Sequence, residues 1–349
     1  MTARHTERLP VTGLILSLAL LVGCGTAGNP ATRTLTATLQ FQMGIEGGAR
    51  DFTFDADGNM YLFDYMHYMI RKLTPDGQQL IAFGGNVEEG GLFTHLMEIE
   101  IFNDRLVALD SVALFTFDLD GNFLDQEDFA EEVICERPAV ARNGEFIGER
   151  FIDAEARSTL TQRRADGTEQ ARLESYALSD FIPAIVPGVD FFLSMNHMRS
   201  YRYAYLPDGS PIWASTDAFL VNTMRGEEVR ELITGDYSPV SVPDDQVEQM
   251  KSRSESLPPP LFMYVPDSWR LIHQLFAGSD GDIWVYLQSL ERTGFLHCSS
   301  RGRERAFYTF SGDLDPGDED VMIREYEGRL WFLVPGRDEV TVYTAAIPG

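Results

Sequence analysis

A two-residue turn signal recurs along this chain at a nearly constant interval. It reads Asp57-Gly58, Asn103-Asp104, Asn143-Gly144, Pro187-Gly188, Asp280-Gly281 and Glu327-Gly328. The steps between second residues are 46, 40, 44, 93 and 47. A sustained period of about 40–50 residues with hairpin chemistry marks a β-propeller, whose sheets bury their faces only against neighbouring copies. At the third residue after each turn stand Tyr61, Val107, Ile147, Phe191, Trp284 and Trp331, all large and apolar. Runs such as Leu106-Val107-Ala108-Leu109 and Ile283-Trp284-Val285-Tyr286 read as strands buried on both faces.

A second turn series follows each run: Asp76-Gly77, Asp120-Gly121, Asp166-Gly167, Asp208-Gly209 and Arg301-Gly302. Asp-Gly suits the two-residue type I′ hairpin, because glycine takes positive φ without a Cβ clash. Six turns of the first kind against five of the second leave one outer strand to be supplied. Leu35, Ala37, Leu39, Phe41 and Met43 alternate with polar residues, as one half-buried strand should. The expectation is an all-β, six-bladed β-propeller over residues 35–349, closed by this N-terminal strand so that no sheet edge stays open. Within it, Phe54-Asp55-Ala56-Asp57-Gly58-Asn59-Met60-Tyr61, then Arg71-Lys72-Leu73, Pro75-Asp76-Gly77 and Phe83-Gly84, resemble the NHL-type repeat of six-bladed propellers. The resemblance implies the fold. It implies little about function, because such propellers serve as binding platforms, lyases and lactonases alike.

The N-terminus carries Arg4 and Arg8, an apolar stretch from Val11 to Val22, and Leu21-Val22-Gly23-Cys24. A basic start, a short apolar core and a small residue before the cut form a secretory signal. The cysteine after Gly23 makes it resemble a bacterial lipoprotein signal, which implies a cut after residue 23 and an acylated Cys24. Residues 24–34 then serve as a flexible tether. That resemblance places the protein in the bacterial cell envelope, held by its N-terminal lipid only. In a two-membrane host, Gly25 at the second mature position resembles outer-membrane sorting signals.

Charge narrows the partners further. With 28 Lys and Arg against 54 Asp and Glu, the formal net charge is −26. So acidic a chain repels nucleic acid and anionic lipid alike, and nucleic-acid binding is excluded. An envelope protein, a peptide or a glycan remains as partner, with the chain expected to be a monomer. Besides Cys24, Cys135 falls before the third blade and Cys298 at the fifth blade's outer turn, on opposite faces. Two unpaired thiols follow, since a disulfide needs Cα atoms within about 7 Å.

Both turn series lie on one face of a propeller, the bottom; the links between blades and the turns between second and third strands form the top. The 93-residue step places extra chain, about residues 217–267, on the top link between blades four and five. Within it Pro243 to Lys251 reads as a short helix with acidic residues in its first turn, stopped by Leu257-Pro258-Pro259-Pro260. A lid-like insertion is favoured over a decayed seventh blade. Two top-face segments resemble each other, Tyr65-Met66-His67 and Asn196-His197-Met198-Arg199. Tyr65, His67, Asn196, His197 and Arg199 are therefore the candidate ligand face, with repeat-structural capping of the turns as the alternative. The densest carboxylate cluster, with Asp313, Asp315 and Asp318, offers oxygens for calcium but lacks the spacing of an EF-hand loop. Propeller lactonases hold calcium on channel-lining acids, and Glu98 and Glu100 near the second inner strand suit such a place. No catalytic motif of the Gly-x-Ser-x-Gly, His-Glu-x-x-His or phosphate-loop type is present. The leading expectation is a tethered binding or scaffolding propeller with no required cofactor. The alternative is a calcium-dependent propeller hydrolase or lyase.

Overall fold

The computed structural model describes residues 32–45, 48–133, 135–150, 157–177, 200–256, 265–312, 314–318 and 320–348. The chain opens with β1 (Thr32–Thr36) and β2 (Thr38–Gly44). Blade one is β3 (Ala49–Phe54), β4 (Met60–Asp64), β5 (Met69–Leu73) and β6 (Gln79–Gly84). Blade two is β7 (Leu96–Phe102), β8 (Arg105–Asp110), β9 (Ala113–Asp118) and β10 (Phe123–Asp128). Blade three is β11 (Glu136–Val140), β12 (Phe146–Arg150), β13 (Arg157–Arg163) and β14 (Glu169–Ala177). Blade four is β15 (Tyr201–Tyr205), β16 (Pro211–Ser215), β17 (Leu220–Arg225) and β18 (Glu228–Thr234). After helix α1 (Asp244–Ser256) come blade five, β19 (Ile272–Ala277), β20 (Ile283–Gln288), β21 (Thr293–Cys298) and β22 (Glu304–Ser311), and blade six, β23 (Met322–Tyr326), β24 (Arg329–Pro335) and β25 (Glu339–Ala346). The all-β six-bladed architecture is as expected. β4 and β16 are buried at every residue, as middle strands between stacked blades should be.

Ring closure differs in one respect from the single strand read from the alternation. The N-terminal segment divides at Ala37. β1 lies parallel on β22 as a fifth strand of blade five, and β2 pairs antiparallel with β25 as the outer strand of blade six. One segment thus clasps two blades. Both halves alternate apolar and polar residues, so sequence pattern does not reveal the break. Leu35 is fully buried among Trp284, Phe295, Tyr308 and Phe332 of those blades. Arg33 donates to the Pro348 carbonyl at 2.7 Å, tying the two ends of the ring together. Because β1 starts at Thr32, the propeller begins three residues before the expected boundary at 35.

Turn chemistry also departs from expectation. The type I′ pairs are Asn103-Asp104 (φ 50° and 59°) and Glu327-Gly328 (φ 50° and 70°). Asp57-Gly58 instead closes a three-residue loop, with Gly58 at φ 82° donating its N–H to the Asp55 carbonyl at 3.1 Å. The Asp55 carboxylate accepts the Asp57 and Asn59 N–H groups at 3.1 and 2.8 Å. Asp118 does the same for Asp120 and Asn122 at 3.0 and 2.8 Å. Both carboxylates are occupied within their own turns.

Blade four is one hairpin out of the expected register. Asp208-Gly209 joins β15 to β16 and is therefore that blade's first turn, not its second. Its outer turn is Gly226-Glu227, where Arg225 pairs with Glu228. Pro187-Gly188 and Phe191 lie outside the described residues. Both hairpins of a blade use the same turn chemistry, so an Asp-Gly pair does not say which one it closes. The extra chain consequently falls in two places, 178–200 before blade four and 235–271 after it, and 220–234 belong to the blade itself. The helix does lie between blades four and five, with Asp244 and Asp245 in its first turn. The Leu257 to Pro260 stop lies outside the described residues. Cys135 and Cys298 are not bonded to each other, as the blade register required.

The clasp generates a prediction. Leu35→Ala should cost about 2–4 kcal/mol through the cavity it leaves and lower Tm by several degrees. Leu39, 55 % exposed on β2, should tolerate alanine within about 0.5 kcal/mol. Urea unfolding of both variants checks this, and equal effects would contradict the clasp.

Candidate functional site

Six inner strands, β3, β7, β11, β15, β19 and β23, surround a channel of about 1110 Å³. Side chains alternate along a strand, so every second residue faces the channel. The third residues form one layer: Asp51, Glu98, Pro138, Tyr203, Gln274 and Arg324. The fifth residues form the next: Thr53, Glu100, Val140, Tyr205, Phe276 and Tyr326. Blades one, two and six put their charged residues together. Blades three to five supply mainly aromatic and amide groups.

Arg324 is the centre of the charged sector. Its guanidinium lies 3.0 Å from Asp51 and 3.4 Å from Glu98, and bonds Glu100 through its other nitrogen. Backbone donors fix these carboxylates. Asp51 accepts the Phe52 and Ile99 N–H groups at 2.8 and 2.9 Å. Glu100 accepts the Thr53 hydroxyl at 2.6 Å and the Ile101 N–H at 3.1 Å. Glu98 accepts from the Arg324 guanidinium at 3.4 Å. Burial raises the pKa of Asp51, and Arg324 only partly reverses this. Burial and the Asp51 charge push Glu98 well above the usual carboxylate range. Burial opposes the charge on Arg324, but Asp51, Glu100 and Glu98 outweigh it, so the guanidinium stays charged. Three carboxyls facing one cation retain a proton between Asp51 and Glu98 more readily than exposed acids would.

The top mouth is framed by Arg50 and by a second ion pair. The Arg50 guanidinium stacks on the Tyr65 ring at 3.9 Å, and Tyr65 meets Tyr68 edge-on at 6.0 Å. Arg137 of blade three reaches Asp320, before blade six, at 3.6 Å. Those blades stand opposite each other, so this exposed pair spans the mouth. Aromatic walls continue below, where Phe54 stacks on Tyr326 at 4.6 Å. The channel can hold a ligand with hydroxyl or amino groups against its carboxyls and a flat face against its rings. A divalent cation would compete with Arg324 for the same oxygens.

The expected site residues divide. Tyr65 does line the mouth. His67 does not: its Nδ1 lies 3.0 Å from the buried Asp64 carboxylate, which also holds Arg71 at 2.6 Å. This is the turn-capping role given as the alternative. Asn196, His197 and Arg199 lie outside the described residues, as does Asp313. Asp315 and Asp318 accept the N–H groups of Gly317 and Asp320 at 2.8 and 3.0 Å, within their own loop. Among the described residues no cluster of His, Cys, Asp and Glu is arranged to hold a metal ion. Glu98 and Glu100 do face the channel. Asp51, Thr53, Tyr203 and Arg324 were missed, and aligning the third residues of the inner strands would have found three of them.

Stability should follow pH with a definite sign. The raised pKa values of Asp51 and Glu98 mean that the folded state binds more protons than the unfolded chain from the ordinary carboxylate range up to the raised values. Stability therefore falls as pH rises through that window. Glu98→Gln should flatten the slope and leave the protein at least as stable at neutral pH. Arg324→Met should cost about 3–5 kcal/mol at neutral pH, where the stranded carboxylates repel, and recover as pH falls. Urea midpoints across the pH range read both effects.

No family model matches the chain, and no curated protein does. Among solved structures, the chain is similar to virginiamycin B lyase from Staphylococcus aureus at 11 % identity and TM-score 0.44, over 88 % of this chain and 99 % of that one. It is similar to the calcium-binding protein regucalcin from Agrobacterium tumefaciens at 11 % identity and TM-score 0.48, over 91 % and 97 %. A member of the DUF4221 family from Bacteroides vulgatus aligns at 9 % identity and TM-score 0.49, over 90 % and 98 %. Likenesses of this degree carry no argument about ligand or activity; the six sheets themselves establish the propeller.

Proposed function

We propose that this chain is an envelope lipoprotein, tethered through Cys24, whose propeller binds or scaffolds a partner at the top mouth of its channel. The observation that carries the binding reading is Arg324. Its guanidinium bonds Asp51, Glu98 and Glu100, so these channel oxygens already face a cation of the chain itself. The guanidinium offsets part of the carboxyl charge, and the groups at the mouth suit recognition: Arg50, Tyr65 and the Arg137–Asp320 pair. A peptide or glycan fits this mixture of a cation, carboxyls and rings. Seven residues separate Cys24 from Thr32, where β1 begins, so the tether is short.

Two measurements test the two halves. Expressed in a bacterial host, the chain should incorporate labelled palmitate and partition into detergent, and Cys24→Ser should lose both; an unlabelled wild-type chain overturns the anchor. The soluble propeller should melt at the same temperature with excess calcium and with chelator. A site saturated at 100 times its Kd would add about 2.7 kcal/mol, and a calcium-dependent rise of several degrees would favour the hydrolase reading instead.

A further inference from the structure

The inner strands are not regular at their upper ends. In four of them the ladder to the second strand takes in one extra residue: between Ala49 and Asp51 in β3, Leu96 and Glu98 in β7, Glu136 and Ala139 in β11, and Ile272 and Gln274 in β19. β15 and β23 pair without a slip. An extra residue bends the strand and re-aims a side chain that strict alternation would turn away. Arg50 and Asp51, consecutive in sequence, consequently both line the channel, as do Met97 with Glu98 and Arg137 with Pro138.

These bulges sort charge along the channel. Two guanidiniums are brought to the rim. Arg50 is exposed, stacks on the Tyr65 ring at 3.9 Å, and among the described residues has no carboxylate at ion-pair distance. Arg137 holds φ 41°, a left-handed backbone that non-glycine residues seldom adopt, and meets the exposed Asp320 carboxylate at 3.6 Å. Just inside the rim, three carboxyls face the single guanidinium of Arg324. Asp51 and Glu100 also accept backbone N–H groups. Glu98 has its long 3.4 Å contact to Arg324 and, among the described residues, no backbone donor. Burial and the Asp51 charge outweigh Arg324 there and raise its pKa, as befits a carboxyl short of positive partners. Tyr205, Phe276 and Tyr326 follow in the layer below.

We propose that the mouth binds a short zwitterionic peptide, its carboxylate on Arg50 and Arg137, its α-ammonium on Glu98 and Asp51, and its first side chain among the rings below. An anion alone would face the three carboxyls behind the rim, and a cation alone would meet the arginines first; a zwitterion meets neither repulsion. A planar guanidinium takes a carboxylate through two parallel N–H donors, and stacking on Tyr65 pre-sets its plane. Asp320 holds the ligand carboxylate's place on Arg137 and is displaced at small cost, because the pair is exposed. Arg50 and Asp51 are adjacent, with Cα atoms about 3.8 Å apart, so one small molecule reaches both zones. An extended dipeptide, with termini about 7 Å apart, is the smallest peptide that does so. This deepens the binding reading above and rests on it, since the mouth must be the recognition surface.

Calorimetric titration of the full chain in detergent with the dipeptide Phe-Ala, its N-acetyl form and its C-terminal amide provides the test. Free Phe-Ala should bind at least about tenfold more tightly than either blocked form. Glu98→Gln should weaken Phe-Ala by at least about tenfold and no longer distinguish it from the N-acetyl form, while still disfavouring the amide. Arg50→Gln with Arg137→Gln should do the converse, losing the preference over the amide and keeping that over the N-acetyl form. Arg50→Gln alone gives the same direction if the double variant is unstable. Arg164→Gln, exposed at the blade-three outer turn, should bind as wild type. No binding of Phe-Ala overturns the proposal and leaves a glycan as the ligand for the mouth. Equal binding of all three forms that Arg50→Gln weakens also overturns it, yet keeps the mouth as the recognition surface. Binding untouched by the Glu98, Arg50 and Arg137 substitutions puts the peptide elsewhere and overturns both readings.

Discussion

A ring of sheets is only as stable as its seam, and here the seam is held by a strand that belongs to neither end of the repeat. β2 supplies the outer strand that blade six lacks, and β1 adds a fifth to blade five. Without them β25 would present an open edge, and Leu35 would leave a gap in the cluster that joins Trp284, Phe295 and Phe332. Non-local pairing across some three hundred residues also makes closure a late event in folding, since loop-closure entropy precedes the contacts that offset it.

The channel reinforces that seam from inside. Arg324 on the last blade bonds Asp51 on the first and Glu98 and Glu100 on the second, so its charge is neutralised only when the ring is shut. The same grouping determines what the channel can do. Its oxygens face a guanidinium, and burial raises the pKa of Asp51 and Glu98. Ring closure and the charge of the channel wall are therefore set by one cluster. At the mouth, Arg137 and Asp320 join opposite blades through an exposed pair that contributes little stability. A ligand can replace such a pair at small cost.

The faces divide the labour. Bottom turns are short, and their carboxylates are spent on their own N–H groups, as at Asp55 and Asp118. Top connections vary in length and carry the helix between blades four and five.

By itself the sequence determined the class and the count: hairpin turn pairs recurring along the chain, followed by apolar runs, point to a six-bladed propeller. It also determined the existence of an N-terminal closing strand, the helix after Pro243 and the separation of Cys135 from Cys298. These are local patterns or consequences of repeat register, and they survive without knowledge of contacts. Only the tertiary structure decided which hairpin Asp208-Gly209 closes, because both hairpins of a blade use one chemistry. It divided the N-terminal strand at Ala37, which alternation cannot mark. It turned His67 toward Asp64 and brought Arg324 to carboxylates more than two hundred residues away in sequence. Glu98 and Glu100 were legible as channel residues; their neutralising partner was not, since an arginine's charge says nothing about which wall it will meet until the ring is closed.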